Sequence, residues 1–245
     1  MMMTIRRVAF RTLLPALLSG VALVGCQTKL ASTAAVQEPS VKPGINTEYL
    51  KPDINVTQWV ERFEKEGREI YDQRYEIVRA AQIKKGAAVA DVGAGTGLFT
   101  ALFAEAVGPK GKVFAVDIVK DFLTHIAKRT SDTGLRNVQT VLCTERSAEL
   151  PRNSIDVAFV CDVYHHFEYP QSSLASIHRA LRRHGELVVV EFKRLPGKSS
   201  DWVMNHVRAG QEVFTAEIEA AGFKKVEESY FLKDNYVVRF RKARR

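Results

Sequence analysis

Cys161-Asp162-Val163-Tyr164-His165-His166-Phe167 packs a carboxylate, a phenol and two imidazoles into one short segment. Imidazole titrates close to neutrality, so His165 or His166 suits a general base, with Tyr164 as a polar partner that orients a substrate. Consecutive side chains of an extended segment point to opposite sides, so one of the two histidines is expected to serve and the other is not. Histidine is also a common metal ligand. Adjacent histidines without a matching Cys, His or acid set do not make a ligand set, and no metal centre is expected. His206, in the polar stretch 198–208, is a further candidate to line a pocket.

A second stretch binds rather than reacts. Asp91 is followed by Gly93, Ala94, Gly95 and Gly97, between the apolar run Ala88–Val92 and the helix-compatible run Leu98–Val107. Glycine there permits φ > 0 and lets a ligand approach bare backbone. Free N–H groups at the helix start suit a polar or anionic ligand edge. Asp117 closes the next apolar run, and 117 − 97 = 20 positions is the spacing of a ribose-binding acid in a nucleotide-binding βαβ unit. A carboxylate, being acceptor-only, suits two ribose hydroxyl donors, and Ile118 can lie against a base.

The elements that must hold these residues alternate. Strands are expected at 88–92, 113–118, 137–143, 155–162 and 187–192, with helices at 98–107, 121–132, 172–182 and 209–221. Gly222 reads as a C-cap signal. A final hairpin pairs 225–232 with 236–241 across Lys233-Asp234-Asn235. Alternating βα units imply a doubly wound α/β fold, mostly parallel, and its ligands bind outside the carboxyl ends of the strands. Upstream, Val56–Gln82 reads as helix, kinked at Gly67.

Asp91-x-Gly93-x-Gly95-x-Gly97 differs in glycine spacing from the dinucleotide fingerprint and resembles motif I of the class I S-adenosylmethionine (SAM)-dependent methyltransferases. Ala115-Val116-Asp117-Ile118 resembles the family's acidic ribose loop. Leu150–Val157 resembles its "LP…sFD" lead into strand four, and Leu181–Leu187 its "LkPGG.l" turn into strand five. The likeness runs from about Tyr71 to Lys242. It implies a seven-stranded sheet of order 3-2-1-4-5-7-6 with an antiparallel C-terminal hairpin, and SAM as cofactor. It implies that Asp91, Gly93, Ala94, Gly95, Gly97, Asp117, Ile118, Glu145 and Asp162 bind that cofactor. Glu145 stands at the adenine amino group, where Thr144-Glu145-Arg146 replaces the usual Asp-Ala. The loop after strand four then faces the transferable methyl, which makes Tyr164, His165 and His166 the candidate catalytic residues. The segment before strand one covers the cofactor, so Tyr71 and Arg74 either face the ligand or serve as core and surface. The implied reaction is methyl transfer to a small, lipophilic acceptor. The alternative is a membrane-tethered SAM- or nucleotide-binding protein without turnover. No nucleic-acid partner is expected, since there is no added RNA-binding module and no Asn/Asp-Pro-Pro-Tyr/Phe loop.

Composition fits this frame. The chain has 245 residues, 46% hydrophobic and 26% charged, enough for one globular domain with a sizeable core. Net charge is +8. Basic Arg6, Arg7 and Arg11 precede an apolar run, Leu13–Val24, too short to span a membrane comfortably. It ends Leu23-Val24-Gly25-Cys26, which resembles a bacterial lipobox with lipidation of Cys26. The expected organisation is a leader at 1–25, a flexible tether at 26–55 and a methyltransferase domain with a helical cap at 56–245. A lipid anchor on Cys26 would place the protein on a membrane, on the periplasmic side of the outer membrane from Gln27; an unused leader would leave it cytoplasmic. Cys143 and Cys161 end strands that lie about 14 Å apart in the expected order, at ~4.8 Å per strand spacing, too far for a disulfide.

Overall fold

Strand β1, Ala88–Val92, is buried at every position. Such a run needs apolar cover on both faces, which a parallel sheet between helices supplies. β1 pairs in parallel with β2 (Lys112–Asp117) on one side and β4 (Ile155–Cys161) on the other. β3 (Val138–Leu142) extends the sheet beyond β2. Beyond β4 lie β5 (Leu181–Phe192), parallel, then β7 (Asn235–Lys242), antiparallel, and β6 (Phe223–Ser229) at the edge. The order is 3-2-1-4-5-7-6, as expected from the sequence. This computed structural model describes residues 37–243, which form one unit.

Side-chain alternation divides the core. Ala90, Val92, Ala158 and Val160 face one layer, packed by Leu174 and Ile177 of α6 (Pro170–Ala180) and by Phe214 and Ile218 of α8 (Gln211–Ala220). Val89 and Phe159 face the other, with Phe99 and Phe103 of α4 (Leu98–Val107) and Ile77 of α3 (Arg74–Ala80). Helix α5 (Lys120–Asp132) covers β2 and β3. After β3 the chain crosses to the far side of β1, so the carboxyl ends of β1 and β4 form the switch point where such sheets bind ligands. Among the described residues no helix is long and apolar enough to cross a membrane.

Three local differences from the sequence reading concern the elements around the site. The segment read as one kinked helix is three pieces: α1 (Val56–Phe63), α2 (Glu69–Asp72) and α3, with the chain turning at Gly67. Strand β5 begins at Leu181, six residues early, through a register shift opposite Ile155/Val157. The polar stretch 198–208 contains a helix, α7 (Asp201–His206), because the Ser200 side chain accepts the Val203 amide as an N-cap.

The described part of the expected tether, 37–55, is docked. Helix α6 begins with Pro170 and has no side-chain cap of its own. Glu38 supplies it from far upstream, accepting the amides of Gln171 at 2.8 Å and Ser172 at 2.7 Å. Val41 N–H donates to the Glu168 carbonyl at 3.0 Å. Buried Asn46 donates to the His166 carbonyl at 3.2 Å and to Glu145 at 3.3 Å. Residues 37–55 are therefore not a free tether, and single residues without periodicity make these contacts. Glu38→Ala should lower unfolding stability by about 0.5–2 kcal/mol, the range for a lost helix cap, measured by urea denaturation. An unchanged midpoint would show that the docking is energetically idle.

Candidate functional site

A cavity of about 470 Å³ opens at the carboxyl ends of β1, β2 and β4. Its lining gathers Asp91, Gly93, Ala94, Gly95, Asp117, Ile118, Glu145, Asp162, His165, His166 and His206. Gly97 and Tyr164, singled out from the sequence, are not part of it.

The glycines have different jobs. A Cβ on Gly93 would lie 2.5 Å from the Val163 methyls, and one on Gly97 2.7 Å from Ile126. Both are glycine so that loop and helix can close against protein. Gly95 alone has its bare side toward the cavity, where a Cβ would meet only the Phe63 ring, at 3.5 Å. All three have positive φ. The sequence points all of them to ligand approach; Gly93 and Gly97 also have a packing reason to be glycine, and Gly95 is the one with open space on its bare side.

Asp117 is fixed by two amides. Oδ2 accepts Gly95 N–H and Oδ1 accepts Val119 N–H, each at 2.8 Å. A carboxylate has about four acceptor positions, so each oxygen keeps a lone pair for a hydroxyl. Burial lifts Asp117 to about 6, against the amides that stabilise its charge. Burial also lifts Asp91 to about 7; its Oδ2 accepts the Thr100 hydroxyl at 2.6 Å. The acceptor pair at Asp117, the open face of Gly95 and Ile118 beside them fit the adenosine end of SAM.

A strap from the cap crosses the glycine loop. Glu64 accepts Thr96 Oγ1 at 2.8 Å and pairs with Arg129 at 2.5 Å. Arg68 donates to Asp162 at 2.6 Å and to the Phe63 carbonyl at 2.9 Å. Asp162 also accepts Asn235 Nδ2 at 2.8 Å, so both its oxygens are engaged. Burial raises Asp162 to about 6, and the Arg68 cation opposes that rise. Arg62 and Arg68 line the cavity. Tyr71 and Arg74 do not; Arg74 stacks on Tyr71 and Tyr75 instead.

Tyr164, Val163's neighbour, turns inward. It is fully buried, its ring packs against Phe214 and Phe167, and its hydroxyl donates to Glu217 at 3.0 Å. Burial and Glu217 both raise its pKa far above that of a free phenol. A catalytic role for Tyr164 is therefore replaced by a core role. The reason is the 3-10 turn Tyr164–His166, which spaces side chains around an axis instead of alternating them.

That same turn puts both histidines on the cavity. His165 Nδ1 lies 2.8 Å from Glu191 Oε2, which also accepts the His165 amide at 3.2 Å. Glu191 is fully buried in β5, and its other oxygen accepts Phe192 N–H. His166 Nε2 lies 3.3 Å from His206 Nε2. Burial, with the neighbouring histidines and Lys42, lowers His166 to about 2; burial, with His165 and Lys42, lowers His206 to about 4. Both are neutral at pH 7. Cys143 and Cys161 are free thiols on the lining, and burial pushes Cys143 up to about 12, so neither is a thiolate nucleophile.

Several residues of this site escaped the sequence reading. Glu191 had a signal: it is a lone charge within the apolar strand Val188-Val189-Val190-Glu191-Phe192. Arg68, Asn46, Tyr49 and Trp202 had none, because each arrives from an irregular or short element. Tyr49 rests against Trp59 and meets His166 edge-on; Trp202 stacks on His206 at 4.6 Å.

Residues 90–189 match the family profile described as methyltransferase domain. Over 118 residues the chain is 31% identical to the ubiquinone/menaquinone biosynthesis C-methyltransferase UbiE of Burkholderia mallei, covering 48% of each protein. The chain thus spans about half the length of the curated relatives it matches. A SAM-dependent methyltransferase from Aquifex aeolicus superposes with TM-score 0.69 at 21% identity, covering 78% of this chain and all of that one. The [4+2]-cyclase SpnF superposes with TM-score 0.62 at 16% identity, covering 81% and 93%. The profile match lies on the sheet, loops and cavity just described, and the chain has the seven-stranded fold of the Aquifex aeolicus SAM-dependent methyltransferase it superposes with.

Proposed function

We propose that this chain transfers a methyl group from SAM to a small lipophilic acceptor that must lose a proton, with His165 as the base. The His165–Glu191 pair carries the reading. A buried carboxylate on Nδ1 fixes the ring, leaves Nε2 to take a proton and stabilises the imidazolium that results. His166 and His206, with lowered pKa values, are weaker bases. SAM supplies an activated methyl on its sulfonium, so the protein's task is alignment, proton removal and exclusion of water. Asp117, Gly95 and Ile118 would hold the adenosine, and Glu145 its amino group. Phe63, Phe122, Phe167, Phe192, Tyr49 and Trp202 give the lining an aromatic character that suits a phenol, quinol or lipid-like acceptor. UbiE, by its name, methylates carbon in quinone biosynthesis, which favours trying that class first. The test is radiolabelled methyl uptake across quinols, phenols and lipid-like compounds. SAM binding without uptake by any of them would support the second reading, a binding protein without turnover.

That second reading draws on the leader, which lies outside the described residues. We propose that Cys26 is lipidated and holds the domain on a membrane, on the periplasmic side of the outer membrane. SAM is made in the cytoplasm, so an exported domain would need another source of it, whereas an unused leader would remove the conflict. Cys26→Ser should abolish lipid labelling and release the protein from membranes on fractionation. An unprocessed wild-type N-terminus, found by mass spectrometry in the soluble fraction, would overturn the anchor.

A further inference from the structure

His165 and His166 come from the turn after β4, and His206 from the last residue of α7. One imidazole nitrogen from each lies within 4.8 Å of the others. Three of the chain's six histidines thus converge at one wall of the cavity. We propose that these three form a binding site for a divalent transition-metal ion of the zinc class, with its fourth position open to the cavity.

The geometry supports this in three ways. First, tetrahedral zinc with Zn–N near 2.0–2.1 Å needs its nitrogens roughly 3.3–3.4 Å apart. His166 Nε2 and His206 Nε2 are already at 3.3 Å. Second, the rings have supporting partners. Glu191 holds His165 Nδ1, which leaves Nε2 for an ion in a carboxylate–histidine arrangement typical of metal ligands. Trp202 stacks on His206 and Tyr49 packs edge-on to His166, so the rings are held in place by packing. Third, three imidazoles and one open position is the pattern of a catalytic zinc centre, whereas structural zinc sites are closed by four protein ligands.

Charge around the site is mixed. Lys42, which donates to the His206 carbonyl at 2.6 Å, and Arg62 disfavour a cation. Glu191, buried directly behind His165, and Asp162 beside it favour one. The three imidazoles, one nitrogen of each within 4.8 Å of the others, face the ion directly and outweigh the two cations, which sit outside the ligand set. Among the described residues no other cluster of three such side chains meets the same distance limit. With an ion bound, His165 would be a ligand rather than a base. The ion would then assist by lowering the pKa of an acceptor hydroxyl. Turnover cannot separate these states, so ion binding itself is the readout, and it is independent of whether methyl transfer occurs.

The experiment is calorimetric titration of the chelator-stripped full-length protein with zinc chloride, with bound metal counted by mass spectrometry. One ion per chain is expected, with Kd below about 1 μM. His166→Ala and His206→Ala should each weaken binding more than about 100-fold, and Glu191→Gln by ~10–100-fold, as for loss of an outer partner. His184→Asn, at an exposed histidine, should change nothing. No binding at 100-fold higher zinc, or wild-type affinity in His206→Ala, overturns the site. Should an alanine variant fail to fold, electron paramagnetic resonance of the wild-type protein loaded with one equivalent of copper(II) decides. Three coordinated imidazole nitrogens support the site, and fewer overturn it.

Discussion

His165→Ala is expected to reduce methyl transfer about 10²–10⁴-fold while SAM affinity stays within twofold of wild type. The separation follows from where His165 sits. Its ring faces the cavity from the turn after β4, while the proposed adenosine contacts come from the loops after β1, β2 and β3. Removing the ring leaves Glu191 buried, but that carboxylate keeps the amides of His165 and Phe192 as donors, so the fold should tolerate the change. His166→Ala should do much less, because its depressed basicity makes it a poor proton acceptor at neutral pH. Glu191→Gln tests positioning. It should lower turnover and shift the acid limb of the pH–rate profile, a change that loss of packing alone would not produce. Full turnover in both histidine variants and in the double variant would remove this pair from the chemistry and leave alignment alone to carry it.

Asp117→Ala should weaken SAM binding by about 1.5–3 kcal/mol, or roughly 10–150-fold, the range for hydrogen bonds to a charged group. The variant loses the acceptor for the diol and also strands two amides, Gly95 N–H and Val119 N–H, that now point at a shared carboxylate. Asp117→Asn separates the contributions, since it keeps shape and one acceptor. The pH dependence has a definite sign. Asp117 and Asp162 sit at about 6 and Asp91 at about 7, all raised by burial, so lowering pH from 8 to 5 protonates them. Affinity for the cationic cofactor should therefore fall on acidification, earlier than for ordinary carboxylates near 4. Calorimetry across that range checks both points, and wild-type affinity in Asp117→Ala would refute the placement.

The sheet was legible because its strands are apolar runs of strand length bounded by turn signals. Ala88–Val92 and Ile155–Cys161 could hardly be anything else. The glycine-loop side of the cavity was legible for a related reason: the glycine loop and Asp117 are tied to strand ends, so sequence distance fixes spatial place. The histidine side was only partly so. His165 was found, but Glu191 behind it and His206 beside it come from other elements, and only the fold shows them meeting. Tyr164 was misplaced because alternation was assumed where the backbone makes a tight helical turn. The docked segment 37–55 was missed because Glu38, Asn46 and Tyr49 act singly, and a periodicity test is blind to isolated anchors.

The near-contact between Gly93 and Val163 ties the two halves mechanically. Gly93 belongs to the loop after β1 and Val163 to the loop after β4, and no side-chain atom fits between them. The spacing of the two loops is thus set by one valine against one bare α-carbon. Trimming Val163 slackens both loops at once, and enlarging Gly93 pries them apart. A change made at Val163 to reshape the β4 side of the cavity is therefore felt on the glycine-loop side as well.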